Sequence, residues 1–144
     1  MEAKDIVGTW RLVTYSCKDE NGKVGYPLGE NAVGYIMYTS DGYMSVSMAS
    51  NNRPKRSSND LTGGSREEKV AAAETYITYC GTYEFHEDRV IHNIEMALFP
   101  NRVGSSQIRY YKIKGNKIIL TTPPISIDNK PQICTVIWER PSSR

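Results

Sequence analysis

The sequence lacks most of the features that would commit it to a known chemistry. Its 144 residues include 2 histidines and 3 cysteines, and no two cysteines stand at CxxC spacing. A structural zinc site needs Cys and His ligands at short, regular spacings, so no metal centre is expected. No GxSxG, HExxH, Walker or GxGxxG stretch occurs, and no cofactor is expected. No apolar run approaches the roughly 20 residues that span a bilayer as a helix. Met1-Glu2-Ala3-Lys4-Asp5 leads into a strand-like stretch without the apolar core of a secretion signal. The net charge of +2 is too small to imply a nucleic-acid partner. The basic run Arg53-Pro54-Lys55-Arg56 lies in a polar loop and adds little to that case. Cys17, Cys80 and Cys134 are an odd set with no framework spacing. They are expected to be three free thiols in a reduced, cytoplasmic protein.

What the chain does have is strand signal. At this length residues 1–144 suit a single domain with a single core. Tyrosine is abundant, 10 against 2 phenylalanines. A phenol pairs an apolar body with a polar tip, which suits a wet cavity or an exposed sheet face. Thr9 to Lys18, Val33 to Thr39 and Tyr43 to Ala49 read as strands, separated by Asn21-Gly22 and Asp41-Gly42 turns. Ser50 to Gly64 is polar and reads as a long loop. Ser65-Arg66-Glu67-Glu68 is a capping box. It predicts a helix over roughly Arg66 to Cys80, with Val70, Ala73, Tyr76, Ile77 and Cys80 as an apolar stripe and Gly81 as its stop. Strands resume at Thr82 to His86, Arg89 to Phe99, Gln107 to Lys114, Lys117 to Thr122 and Gln132 to Glu139. The pattern predicts an all-β chain: a closed antiparallel barrel of about eight to nine strands with one inserted helix packed against it as a plug.

The two ends of the chain answer each other. Gly8-Thr9-Trp10 opens the first strand, and Trp138-Glu139-Arg140 closes the last. Trp10, Trp138 and Arg140 are expected to close one end of the barrel, with the guanidinium lying on the Trp10 indole. Along the first strand Trp10, Leu12, Thr14 and Ser16 share a face by strict alternation.

Four stretches carry a resemblance. They are Gly8 to Val13, Gly34 to Ser45, Leu98-Phe99-Pro100-Asn101-Arg102-Val103-Gly104, and Gln107 with Arg109. In this order they resemble the bacterial and fungal lipocalin-like domains of the calycin superfamily, and the first also looks like the opening of fatty-acid-binding proteins. The chain departs from secreted lipocalins in having no signal sequence, no expected disulfide pair and no Thr-Asp-Tyr motif. The resemblance implies a barrel that holds a small lipophilic or amphiphilic molecule. Similar barrels in natural-product pathways act as cofactor-independent isomerases or cyclases, which is the alternative activity.

The candidate site follows from alternation. His92 shares a face with Val90, Ile94, Met96 and Leu98 and is expected to point inward. It is the candidate acid–base group of the enzymatic alternative. Arg109 and Tyr111 share a face with Gln107 and Ile113, and resemble the Arg-x-Tyr pair by which fatty-acid-binding proteins grip a carboxylate. A guanidinium offers two parallel donors to such a group. Tyr35, on the face of Met37 and Thr39, is a further candidate contact.

Overall fold

Short runs of β-branched and aromatic residues, broken by Gly, Asn and Asp, form ten strands. The computed structural model describes residues 2–142. The strands are β1 (Gly8–Asp19), β2 (Val24–Gly25), β3 (Val33–Tyr38), β4 (Tyr43–Ala49), β5 (Tyr76–Phe85), β6 (Arg89–Ala97), β7 (Ser106–Lys114), β8 (Lys117–Thr121), β9 (Ile125–Ile127) and β10 (Lys130–Glu139). One helix, α1 (Arg66–Glu74), lies between β4 and β5. Each barrel strand pairs antiparallel with the next, in the order β1, β3, β4, β5, β6, β7, β8, β10. β10 then returns to β1 over Arg11 to Asp19, which closes the ring. β2 and β9 are short additions beside β1 and β10 at one rim.

The opposite rim is shut. Ile6, completely buried, follows a short 3-10 turn at Ala3–Asp5 and stops the barrel. The Trp10 indole N–H donates to the Ile6 carbonyl at 2.9 Å. The Arg140 guanidinium lies 3.7 Å from the Trp10 ring centroid. Its nitrogens donate to the carbonyls of Asp5, Val7 and Thr9. Gly8 has a φ of +114°, and a Cβ there would stand 2.9 Å from the Arg140 Nη1. The Gly-x-Trp opening is therefore glycine both for its left-handed backbone and for the room that the arginine needs.

Three expectations are corrected. The capping box is present, with Ser65 accepting from the Glu68 amide and Glu68 accepting from the Ser65 amide. The helix ends at Glu74, however, and none of its residues is buried, so it is no apolar plug. Tyr76 to Cys80 belongs to β5, paired with β4 from Ala49 to Ser45. Those residues are aromatic and β-branched, and the sheet edge offered by β4 outweighs their coincidental helical spacing. The basic loop run ties down this region. Arg53 donates to the Ala72 carbonyl and the Thr75 hydroxyl, and Arg56 to the Leu61 carbonyl.

The second correction concerns two bulges. In β1 the register slips between Leu12 and Thr14, so Tyr15 and Cys17 are buried where Thr14 and Ser16 were expected. In β6 it slips opposite Cys80 and Gly81. Val90, His92 and Ile94 do face inward, but Met96 is 63% exposed and Leu98 also faces out. A Cβ on Gly81 would fall 1.9 Å from the Asn93 carbonyl oxygen, so the second bulge requires a glycine opposite it.

Third, Cys17 and Cys134 stand directly opposite each other in the β1–β10 register and form a disulfide, leaving Cys80 as the free thiol. The inward turn of Cys17 is itself a product of the β1 bulge. Disulfides persist mainly in oxidising surroundings, so the cysteines no longer argue for a cytoplasmic location. Among the described residues no helix is long and apolar enough to cross a membrane.

Candidate functional site: a polar pit below an apolar groove

The barrel interior is filled by Leu12, Ile36, Val46, Ile94 and Ile118 over most of its length. Toward the open rim the filling gives way to polar side chains. An inner cavity of about 40 Å³ remains there, lined in part by Tyr15, Tyr79, His92, Arg102, Arg109 and Trp138. Above it, at the rim, lies a groove of about 840 Å³ walled by Pro27, Tyr76, Leu98, Phe99 and Ile127. Tyr15, Ile77, Arg102 and Ile125 line both, so the two spaces lie on either side of these four.

His92 is 1% exposed. Its Nε2 is 2.7 Å from the Tyr38 hydroxyl and its Nδ1 is 2.7 Å from the Tyr79 hydroxyl. Burial, together with the positive charges of Arg109 and Arg102, holds its pKa well below 6.5, so the ring is neutral. Burial likewise pushes the Tyr38 hydroxyl well above 10.0 and raises that of Tyr15.

The two arginines give the cavity its charge. Arg109, from β7, is 6% exposed and donates through Nη1 to the Ile108 carbonyl at 2.9 Å. Arg102, from the turn after β6, is half-buried, with its guanidinium 5.5 Å from the Tyr79 ring centroid. Among the described residues neither forms an ion pair, and no Asp or Glu lines the inner cavity. The Trp138 indole N–H is buried without a hydrogen-bond partner, and Trp138 lines the same cavity. A buried donor left unpaired in this way costs about 1–3 kcal/mol.

The expected residues are distributed unevenly over this site. His92 and Arg109 both line the inner cavity, on adjacent strands. Gln107 lies at the groove, where its Nε2 donates to the Ser105 hydroxyl. Tyr111 is not in the site. It points inward at the shut rim, stacks on Phe85 and donates to the His86 and Glu87 carbonyls. Tyr35 is 42% exposed on the outer face, because Ile36 and Tyr38 are the inward residues of β3. Trp138 has a wall position in the cavity in addition to its place near the shut rim. Tyr15, Tyr79 and Arg102 line the cavity but were missed by alternation: Tyr15 behind the bulge, Tyr79 in the supposed helix, and Arg102 in a turn whose only signal was the family resemblance.

A closed eight-strand antiparallel barrel, shut at one rim by a Trp–Arg pair and open at the other over a polar pit, defines a calycin-type binding barrel. The model of the lipocalin-like domain matches residues 7–141, and the chain belongs to that family. The chain is also similar to the 4'-hydroxy-3'-methoxypropiophenone carrier protein of Aspergillus oryzae. The two are 29% identical over 106 residues, covering 67% of this chain and 96% of that protein.

Proposed function

We propose that this protein binds and carries a small amphiphilic molecule, its apolar body in the rim groove and its polar end in the inner cavity. Size decides the division. Pockets for drug-sized ligands run to roughly 300–1,000 Å³, a range the groove falls in and the 40 Å³ cavity does not. The inner cavity has room for a polar end group alone. The observation that carries the reading is the pair of arginines, Arg102 and Arg109, at a cavity that contains no carboxylate. A carboxylate, phenolate or similar oxygen anion on the ligand would supply the missing partner through charge-assisted hydrogen bonds. The carrier designation of the Aspergillus oryzae relative supports transport over turnover, and its named cargo is a compact aromatic ketone of the size the groove admits. In this reading Arg102 and Arg109 hold the ligand, Gln107 and Tyr15 flank its path, and His92 acts from the wall. The isomerase or cyclase alternative would require an available base, but both His92 ring nitrogens are already engaged by tyrosines.

The test is recovery of the cargo. Protein purified from its own source without denaturation should release, on solvent extraction, a small oxygen-bearing molecule identifiable by mass spectrometry. Titrated back, it should quench the fluorescence of Trp138, which lines the cavity. The same titration on Arg109→Met should show weakening by about 1.5–3 kcal/mol, the worth of a hydrogen bond to a charged group. Undiminished binding to Arg109→Met would remove the inner cavity from the site.

A further inference from the structure

The Tyr38–His92–Tyr79 chain has a direction, and that direction fixes what the inner cavity can recognise. A neutral imidazole has one N–H and one lone pair, so two arrangements satisfy both 2.7 Å contacts. With the proton on Nε2, that nitrogen donates to Tyr38 and Tyr79 donates to Nδ1. The Tyr38 hydroxyl proton is then left over. Tyr38 is 2% exposed, does not line the cavity, and among the described residues its hydroxyl has no acceptor other than His92. That arrangement buries an unpaired donor. With the proton on Nδ1, Tyr38 donates to Nε2 and Nδ1 donates to the Tyr79 oxygen. The proton left over is then that of Tyr79, which does line the cavity. The second arrangement puts the spare donor where a ligand can accept it.

Resting on the carrier reading above, we propose that the inner cavity is a donor-dominated subsite selecting a carbonyl-type or deprotonated oxygen over a hydroxyl. Tyr79 is turned to donate by the Tyr38–His92 chain. The rest of the lining agrees. The guanidiniums of Arg102 and Arg109 and the Trp138 indole can only donate. The Thr122 oxygen already accepts from the Cys134 amide, which leaves it one lone pair and its own proton to give. An alcohol reaching the cavity could accept these bonds, but its own proton would have only the remaining hydroxyl lone pairs of Tyr15, Tyr79 and Thr122 to go to, in competition with the guanidiniums. Such a mismatch is how a polar site rejects an analogue of nearly the same shape. Tyr38 touches no ligand in this scheme. It is a positioning residue that acts through His92.

The experiment has two arms. First, nitrogen–proton correlation NMR of the imidazole in the ligand-free wild-type protein reads the tautomer directly. A proton on Nδ1 is expected, and a proton on Nε2 overturns the proposal whatever the protein binds. Second, propiophenone and the secondary alcohol obtained by reducing its carbonyl are titrated against wild-type protein and Tyr38→Phe. Wild type should favour the ketone by about tenfold, the order of one unpaired buried donor. In Tyr38→Phe the imidazole is released to either tautomer, and the preference should shrink toward parity while the ketone still binds. Equal affinities in wild type, or an unchanged ratio in Tyr38→Phe, overturn the subsite but leave the carrier reading standing. If neither probe binds wild type, while apolar aromatic probes of the same size also fail, the carrier reading falls and the subsite with it.

Discussion

The two ends of the barrel use the same kinds of side chain in opposite ways. At the shut rim Trp10 donates its N–H to Ile6, Arg140 donates to three backbone carbonyls, and Tyr111 donates to two. Around the cavity toward the open rim the buried Trp138 N–H has no partner, and Arg109 donates to the Ile108 carbonyl and is unopposed by an acid. Residue type, burial and strand position do not separate the two sets. Satisfaction does. Donors that the backbone has engaged hold the fold, and donors without such a partner are those the proposed ligand would engage.

The sharpest way to break this comparison is to truncate one tryptophan of the pair. Trp10→Ala should cost roughly 3–5 kcal/mol in chemical denaturation, as for a buried aromatic, and leave ligand affinity in the folded fraction unchanged. A denaturation midpoint that barely moves would show that the shut rim is not held by Trp10. The disulfide, on the opposite side of the cavity from that rim, comes next. Thiol titration of unfolded, unreduced protein should find only Cys80 free. Reducing the Cys17–Cys134 bond should cost about 2–5 kcal/mol, because it closes a loop of 117 residues. Three reactive thiols before reduction would remove the bond.

The arginines sharpen the comparison further, since their effects should cross. Arg140→Met leaves the carbonyls of Asp5, Val7 and Thr9 without their donor and should lower stability by about 1.5–3 kcal/mol with no change in binding. Arg109→Met removes a buried cation that has no acid beside it, and should leave stability unchanged or raise it while binding weakens. Parallel losses in both assays for both variants would erase the distinction.

The smallest expected effect is a pH slope. The unfolded chain protonates His92 near its ordinary 6.5, whereas the folded chain holds it neutral well below that value. Below 6.5 the unfolded state therefore binds the extra proton, and stability falls as pH falls. Tyr38, Tyr79, Arg102 and Arg109 are the polar groups that bear on the ring. The lowered carboxylates, such as Asp19 and Glu68, act in the same direction only at the more acid pH where they titrate. Stability curves of wild type and His92→Gln between about pH 6.5 and 5 should diverge, the variant lacking this slope. Identical curves would mean that the folded ring accepts a proton as freely as the unfolded one.

Much of the barrel was legible in the sequence because turns and alternation are local. The strand pairs, the Ser65 cap and the Trp10–Arg140 closure all follow from neighbours in sequence or from the two chain ends. The inward positions of His92 and Arg109 follow from period two. What alternation cannot see is a slipped register. The bulge after Leu12 hid Tyr15 and Cys17, and with them both a cavity wall and the disulfide. The bulge opposite Gly81 turned Met96 and Leu98 outward. Tyr76, Ile77 and Cys80 read as helix because their spacing fits a period of 3.6, and only the partner strand β4 overrides it. Arg102 lay in a stretch that carried the family resemblance but gave no sign of a site role, since a turn residue is placed in a cavity by tertiary closure and not by its neighbours.

The seam between β1 and β10 also sets a timetable. β1 leaves the ribosome well before β10, the strand for which its long edge, Arg11 to Asp19, is reserved. Until Gln132 to Glu139 emerges, that edge is an open row of amides and carbonyls able to recruit any extended chain nearby. Bringing together segments more than a hundred residues apart is the slow kind of closure, governed by chain entropy. A nascent or truncated chain that stops short of β10 is thus not a smaller barrel but an unsealed sheet with a sticky border. Its hazard is aggregation with its own copies.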